Sequence, residues 1–383
     1  MKKILIITHN NSNNIGGIET YTKNLINIFT KNNYFVYEIN VYSEKKNLFC
    51  SSNGNYEFVH TKYFENLNLK KDLNNKKTRN LFKRFFIFFK LYLCEIKNAF
   101  FIKKFIRLHN IDIVINNNFS TPIWFNKFSK YIWIQHFDSQ VYLLSFWNKI
   151  LRKFLFINNP LKYPNIVFFT KKDFDYFLSK KMINNKKTNS FYISPSIPRD
   201  KNLNFKNFNN KTQITYIGRL ENKQKNINFL NEIVYLSLKK EKKINIDVYG
   251  SGEDEYLITK NNYINYHGYF KNDEIEKILD ETKILLLPSN FEGFPLVIVE
   301  ALSNGVPCII SNTYLNASYL INDERGAIIN NFNPEEWIDK IYTILNLDET
   351  QYKKLSNSCI SFAKENLSFE VFENKWLNLL KNI

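Results

Sequence analysis

Cysteine is scarce in this chain. Its 383 residues include four, Cys50, Cys94, Cys308 and Cys359, with no paired spacing. That excludes a disulfide framework and a cysteine-built zinc site, and their apolar surroundings predict reduced core thiols. Long hydrophobic runs are missing too. The opening Met1-Lys2-Lys3-Ile4-Leu5-Ile6-Ile7-Thr8-His9 is too short and turns polar too soon for a signal peptide or a membrane span, so the expected location is the cytoplasm. Asn and Lys recur everywhere, yet no fixed-period repeat of the solenoid kind runs through the sequence. Acidic residues are scarce in one half only. Residues 1–198 hold 31 Lys and Arg against 11 Asp and Glu, a net of +20, whereas residues 199–383 hold 22 against 25, a net of −3. One domain is therefore expected to face a polyanion, either an anionic membrane or nucleic acid.

What is present begins with length enough for two domains of roughly 190 residues each. The most informative stretch is Asn290-Phe291-Glu292-Gly293-Phe294-Pro295-Leu296-Val297-Ile298-Val299-Glu300, closed by Ala301-Leu302-Ser303-Asn304-Gly305-Val306-Pro307. Upstream, Lys283-Ile284-Leu285-Leu286-Leu287-Pro288 reads as a strand buried on both faces of a parallel sheet. Pro295 in a first turn and Gly305 after the end predict a helix over 295–304. Its first N–H groups, beginning near Gly293 and Phe294, face the crevice at the carboxyl end of the sheet, where an anion such as a diphosphate is held. Glu292 and Glu300 would accept hydrogen bonds from hydroxyls on either side of it.

This stretch resembles the Glu-x7-Glu signature of the retaining glycosyltransferases of sequence family four, the glycosyl transferases group 1. The resemblance includes Gly-Phe-Pro after the first Glu and Glu-Ala-Leu-Ser-Asn-Gly-Val-Pro around the second. It implies the GT-B fold, with Glu292 on donor-sugar hydroxyls and Glu300 on the nucleotide ribose. Gly293, Phe294, Pro295 and Leu296 complete the donor-binding segment.

Earlier in the chain, the strand Lys3–Thr8 runs into a loop ending at Gly16 and Gly17 and then a helix to Thr30. These glycines let backbone approach a ligand, but the spacing is not Gly-x-Gly-x-x-Gly, so a nicotinamide cofactor is not indicated. The Gly-Gly-x-Glu here resembles the loop that lies between donor phosphate and acceptor in the same family. From Lys70 to Asn110 twelve basic residues interleave with Phe82, Phe85, Phe86, Ile87, Phe88, Phe89, Leu91, Tyr92 and Phe100. Lys83, Arg84 and Lys90 interrupt the apolar run. The segment reads either as an interfacial amphipathic helix on an anionic membrane or as a core helix with a basic outer face. His136, at the end of the strand Tyr131–His136, is either a satisfied polar residue or, by the resemblance, a group near the donor's anomeric centre. Asp173 and Asp175 form an Asp-x-Asp, read as helix-terminal charges in a first turn rather than a metal-nucleotide motif.

After Ser194-Pro195-Ser196-Ile197-Pro198, the strand Thr212–Leu220 carries Gly218 and Arg219, with Lys225 six residues beyond the arginine. Gly218 leaves room for a ligand; Arg219 and Lys225 suit a leaving diphosphate without a metal. Gly250-Ser251-Gly252 resembles the family's second glycine turn. Alternating strands and helices in both halves predict an α/β chain of two doubly wound, Rossmann-like domains facing a cleft. The expected divisions are 1–198 for the acceptor, 199–366 for the nucleotide sugar, and a helix within 367–383 packing back on the first. The expected activity is retaining, metal-independent transfer from a nucleotide sugar, a UDP-sugar foremost. The acceptor would be lipid-linked or an oligosaccharide of lipopolysaccharide, capsule or exopolysaccharide, at the inner face of a membrane. No cofactor, metal or nucleic acid is expected. Two other readings remain: a nucleotide-sugar epimerase of the same architecture, and a basic membrane- or nucleic-acid-binding protein without catalysis.

Overall fold

The computed structural model describes residues 1–8, 16–40, 54–60, 81–117, 130–140, 164–184, 186–197 and 208–383. Cys50, the basic stretch before Leu81 and Pro198 lie outside them. Two compact units are present. The first comprises Met1–His136, Leu143–Ile193 and Leu377–Ile383; the second, Phe137–Tyr142 and Ser194–Trp376.

The first unit is a seven-stranded parallel sheet: β1 Lys3–Thr8, β2 Phe35–Asn40, β3 Tyr56–His60, β4 Ile113–Asn117, β5 Tyr131–Ile134, β6 Asn165–Phe168 and β7 Asn189–Tyr192, in the order β3-β2-β1-β4-β5-β6-β7. β1, β4, β5 and β6 are buried almost throughout, as strands covered on both faces must be. Helix α1, Gly17–Lys31, buries Tyr21, Leu25, Ile26, Ile28 and Phe29. Helix α2, Leu81–His109, seats Asn98, Ala99, Ile102, Phe105 and Ile106 in the core, with Phe105 edge-on to Tyr37 of β2. Helix α3, Lys171–Ser179, explains the Asp-x-Asp. Asp173 N–H donates to the Thr170 hydroxyl cap, and Asp175 pairs with Lys171 at 2.9 Å. Only Asp173 lies in the first turn; Asp175 is two residues further on, where its exposed carboxylate takes the i,i+4 partner.

The second unit has six parallel strands: β8 Gln213–Ile217, β9 Ile246–Tyr249, β10 Ile264–Gly268, β11 Thr282–Leu287, β12 Cys308–Ser311 and β13 Gly326–Ile329, in the order β10-β9-β8-β11-β12-β13. Its helices are α4 Asn222–Lys225, α5 Asn228–Lys239, α6 Ile275–Glu281, α7 Leu296–Ser303, α8 Ala317–Leu320, α9 Pro334–Leu345 and α10 Glu349–Leu367; the last helix, α11 Phe369–Lys381, is divided, its residues from Leu377 onward belonging to the first unit. The apolar run before Pro288 is β11, with Ile284 to Leu287 wholly buried. Helix α7 starts one residue later than expected. Pro295 takes an extended ψ of 103° as N-cap, and so precedes the first turn instead of occupying it. Gly305 ends it at φ +67°, and a Cβ there would lie 2.1 Å from Ser356 Oγ of α10, so this position needs glycine for both conformation and space. Cys308 and Cys359 are free and buried, as reduced core thiols should be, and burial pushes the Cys359 thiol up to about 12.

Candidate active site

Both sheets reverse their winding once, between β1 and β4 and between β8 and β11. At such a point the loops leaving two neighbouring strands part to opposite faces, opening a crevice at the carboxyl edge. In the second unit the residues that leave β8 and β11 are those singled out in the sequence, and they are bonded to one another.

The single turn of α4, ended by Asn226 in a left-handed conformation, carries Lys225 back toward the loop after β11. Lys225 Nζ lies 2.5 Å from Glu292 Oε1, the two side chains being 11% and 7% exposed. Ser289 Oγ donates to the same oxygen at 2.7 Å. Gln224 Nε2 reaches Glu292 Oε2 and Phe291 O, each at 3.4 Å. Arg219 Nη2 donates to Gln224 Oε1 at 2.8 Å, and its Nη1 stands 3.3 Å from Glu221 Oε2. The loops are also joined through backbone: Asn290 N–H donates to Gln224 O at 2.7 Å, and Asn290 Nδ2 to Lys223 O at 3.1 Å. Lys225 is thus balanced by a buried carboxylate, whereas the Arg219 side chain, 68% exposed, keeps most of its guanidinium surface open. Gln224 and Ser289 were not singled out from the sequence; a glutamine between two lysines reads as an exposed helical turn.

Helix α7 begins four residues after Glu292. No side chain caps it, and the first-turn amides of Leu296 and Val297 have no intrahelical acceptor by geometry. Gly293 O accepts from Asn316 Nδ2 at 2.9 Å, Phe294 is buried with its ring 6.3 Å from that of Tyr319, and Pro295 is buried. Glu300 is half-buried on the second turn of α7, beside buried Val299 and Ala301. Gly218 leaves β8 next to Gly250, where a Cβ would fall 1.9 Å from Gly218 O. Gly250 also has φ +136°, so the second glycine turn exists to let two backbones touch. At the ends of β9 and β10, Tyr249 and His267 stack at 4.3 Å, and His267 Nε2 is 2.7 Å from Asp247 Oδ1. The spacing of these three residues carried no signal of their meeting.

In the first unit, Gly17 opens α1 behind Gly16, where a Cβ would lie 2.2 Å from Glu19 Oε2. His136 follows β5 and bonds through Nε2 to Asn117 Oδ1 at the end of β4. Asn117 Nδ2 donates to Thr22 Oγ1 at 2.6 Å, and that hydroxyl donates to Ile18 O at 2.8 Å. His136 is therefore tied to α1 by a relay no sequence pattern announced. Its ring is met edge-on by Tyr21 at 5.0 Å and Phe169 at 5.1 Å. Burial lowers its pKa from 6.5 to about 3, so the imidazole is neutral at physiological pH. Since Asn117 Oδ1 only accepts, Nε2 bears the proton and Nδ1 is an acceptor. Among the described residues, no group of three or more His, Cys, Asp or Glu is arranged to hold a metal ion.

Residues 198–365 match the sequence profile of the glycosyl transferases group 1. The second half of the chain thus resembles that family. Two curated relatives illustrate the range of proteins that the chain resembles. One is a GalNAc-alpha-(1->4)-GalNAc-alpha-(1->3)-diNAcBac-PP-undecaprenol alpha-1,4-N-acetyl-D-galactosaminyltransferase of Campylobacter jejuni, 27% identical over 46% of the chain and 50% of that protein. The other is a UDP-Gal:alpha-D-GlcNAc-diphosphoundecaprenol alpha-1,3-galactosyltransferase of Escherichia coli, 33% identical over 24% of the chain and 22% of that protein. The chain spans half or less of the length of the curated relatives it matches. Its fold is GT-B. The sucrose-phosphate synthase of Thermosynechococcus elongatus superposes with a TM-score of 0.75 at 12% identity, covering 100% of the chain and 99% of that structure.

Proposed function

We propose that this protein is a glycosyltransferase that moves a sugar from a nucleotide sugar, of the UDP class, to a lipid-linked or surface-glycan acceptor, with retention of configuration and without a metal ion. The observation that carries this is the Arg219–Gln224–Glu292–Lys225 network at the β8/β11 switch point, four residues ahead of the uncapped start of α7. An open guanidinium and a helix start without a side-chain cap suit the charge that grows on a departing diphosphate.

In the proposed step the bond from the sugar's C1 to the diphosphate oxygen breaks. The acceptor hydroxyl forms the new C1–O bond on the same face, and its proton passes to the diphosphate oxygen that left. Arg219, Lys225 and the amides at the start of α7 take up the negative charge, which is the work a divalent cation does elsewhere. Glu292, fixed through Oε1 by Lys225 and Ser289, offers Oε2 to a donor-sugar hydroxyl; Glu300 takes the ribose. Neutral His136 is no general acid, and its Nδ1 is free only to accept a hydrogen bond. Support for the UDP donor comes from the Escherichia coli relative's name, and support for a diphospholipid acceptor and an alpha linkage from both relatives' names. The basic first half fits an acceptor presented at the inner face of an anionic membrane.

The test is transfer from a panel of UDP- and GDP-sugars to undecaprenyl-diphosphate-linked saccharides in the presence of EDTA, with the product anomer read by NMR. Retained configuration at an undiminished rate, reduced roughly a hundredfold or more in Arg219→Ala, supports the reading. A strict need for divalent cation, inversion, or release of an epimerised nucleotide sugar without acceptor contradicts it.

A further inference from the structure

Glu292 sits in residues 288–295, which form neither helix nor strand, so no regular backbone ladder fixes where its carboxylate points. β11 lies between β8 and β12 in the sheet, and the segment leaving it is gripped from both neighbours. Gln224 and Lys225 hold it from the β8 side. From the β12 side come three side chains within residues 311–316. Ser311, the last residue of β12, donates through Oγ to Ser289 O at 2.5 Å, and Thr313 Oγ1 donates to the same carbonyl at 2.6 Å. Asn316 Nδ2 donates to Gly293 O at 2.9 Å. Both lone pairs of the Ser289 carbonyl are thus taken by hydroxyls. Ser289 carries the constraint onward, since its own Oγ donates to Glu292 Oε1 at 2.7 Å. Ser289, Ser311 and Asn316 are all buried. Tyr314, in the same loop, is buried too; burial first, and then the Glu292 charge, hold its phenol pKa well above the ordinary value, which sets this loop within electrostatic reach of that carboxylate.

We infer that Ser311, Thr313 and Asn316 are positioning residues of the donor site. Acting through Ser289 and Gly293, they hold the Glu292 carboxylate with Oε1 turned to Lys225 and Oε2 left for a donor-sugar hydroxyl. The inference rests on the reading of Glu292 as the donor-sugar contact and adds the device that aims it. Such a contact works only when placed to within about 0.5 Å. Lys225 alone does not supply that precision, because its flexible four-carbon stem follows the carboxylate wherever the loop carries it. Two hydroxyls converging on one carbonyl fix the backbone itself, three residues before Glu292, and the Asn316 amide fixes it one residue after.

The experiment compares wild type, Thr313→Val, Thr313→Ser and Asn316→Ala. Calorimetry gives the affinity for UDP, and UDP release from UDP-galactose and UDP-N-acetylglucosamine, with undecaprenyl-diphosphate-linked saccharides as acceptor, gives the rate at saturating donor. Thr313→Val exchanges a hydroxyl for a methyl of nearly the same volume and leaves Ser311 on the carbonyl, so the fold should stand. Its UDP affinity should stay within about twofold of wild type while the rate falls roughly tenfold or more. Thr313→Ser should recover most of that rate, and Asn316→Ala should follow Thr313→Val. UDP affinity and rate falling together, or Thr313→Val turning over as wild type does, overturns the inference. A double-mutant cycle of denaturation midpoints, without substrate, pairs Thr313→Val with Glu292→Gln. Because both residues act on Ser289, the combined loss should be smaller than the sum of the single ones. Additive losses overturn the inference. Non-additive losses in a protein that neither binds UDP nor uses these donors leave the aiming device standing and remove the donor-site reading instead.

Discussion

Glu292 and Lys225, 67 positions apart in the chain, meet at 2.5 Å between the loops that leave β8 and β11. Both are nearly out of solvent, so each is the other's compensation for lost hydration. Lys225→Ala strands the Glu292 carboxylate and is predicted to cost about 3–5 kcal/mol, visible as a lowered denaturation midpoint. Lys225→Met combined with Glu292→Leu should recover most of that stability and none of the nucleotide-sugar turnover. Recovery of turnover in the double variant would show the pair to be structural only.

Gly250 and Gly268 separate the two reasons a strand-end glycine is kept. Gly250→Ala meets the Gly218 carbonyl and a disfavoured φ together, and should cost about 2–6 kcal/mol, the sum of overpacking and backbone strain. Gly268, at φ +75° with nothing within 4 Å of an added Cβ, faces only the second term, about 1–2 kcal/mol on substitution by Ala. Chemical denaturation of the two variants orders them; a larger loss at Gly268 would contradict the close approach of the two turns.

His136 gives the protein an acid sensitivity with a definite sign. Its folded pKa, near 3, lies below the ordinary 6.5, so on acidification the unfolded chain takes up a proton that the folded chain refuses. Stability from this group is whole above pH 6.5 and is lost as pH falls below it. Between pH 7 and pH 5 the wild type should lose up to about 2 kcal/mol more than His136→Asn does. Melting curves at the two pH values check this, and parallel losses would mean that the ring titrates normally.

These cases show which parts of the structure could be read in advance. β1 agrees residue for residue with the sequence reading, because an apolar run ended by Thr is a local signal. Likewise Gly218, Arg219, Lys225, Glu292 and Glu300 are marked by a strand-turn-helix grammar that puts them at carboxyl edges. Gln224 was not legible, since its task follows from Asn226 turning the chain back onto the loop after β11. Nor was the Thr22–Asn117–His136 relay, whose members lie on three elements brought together only by the order β1-β4-β5.

The most direct test of the donor site is calorimetric titration with UDP and with GDP, EDTA present, on wild type and Glu300→Ala. The account predicts tight UDP binding without metal in the wild type, weaker GDP binding, and loss of UDP binding in the variant. No binding of either nucleotide, or UDP binding that appears only when a divalent cation is restored, would contradict it.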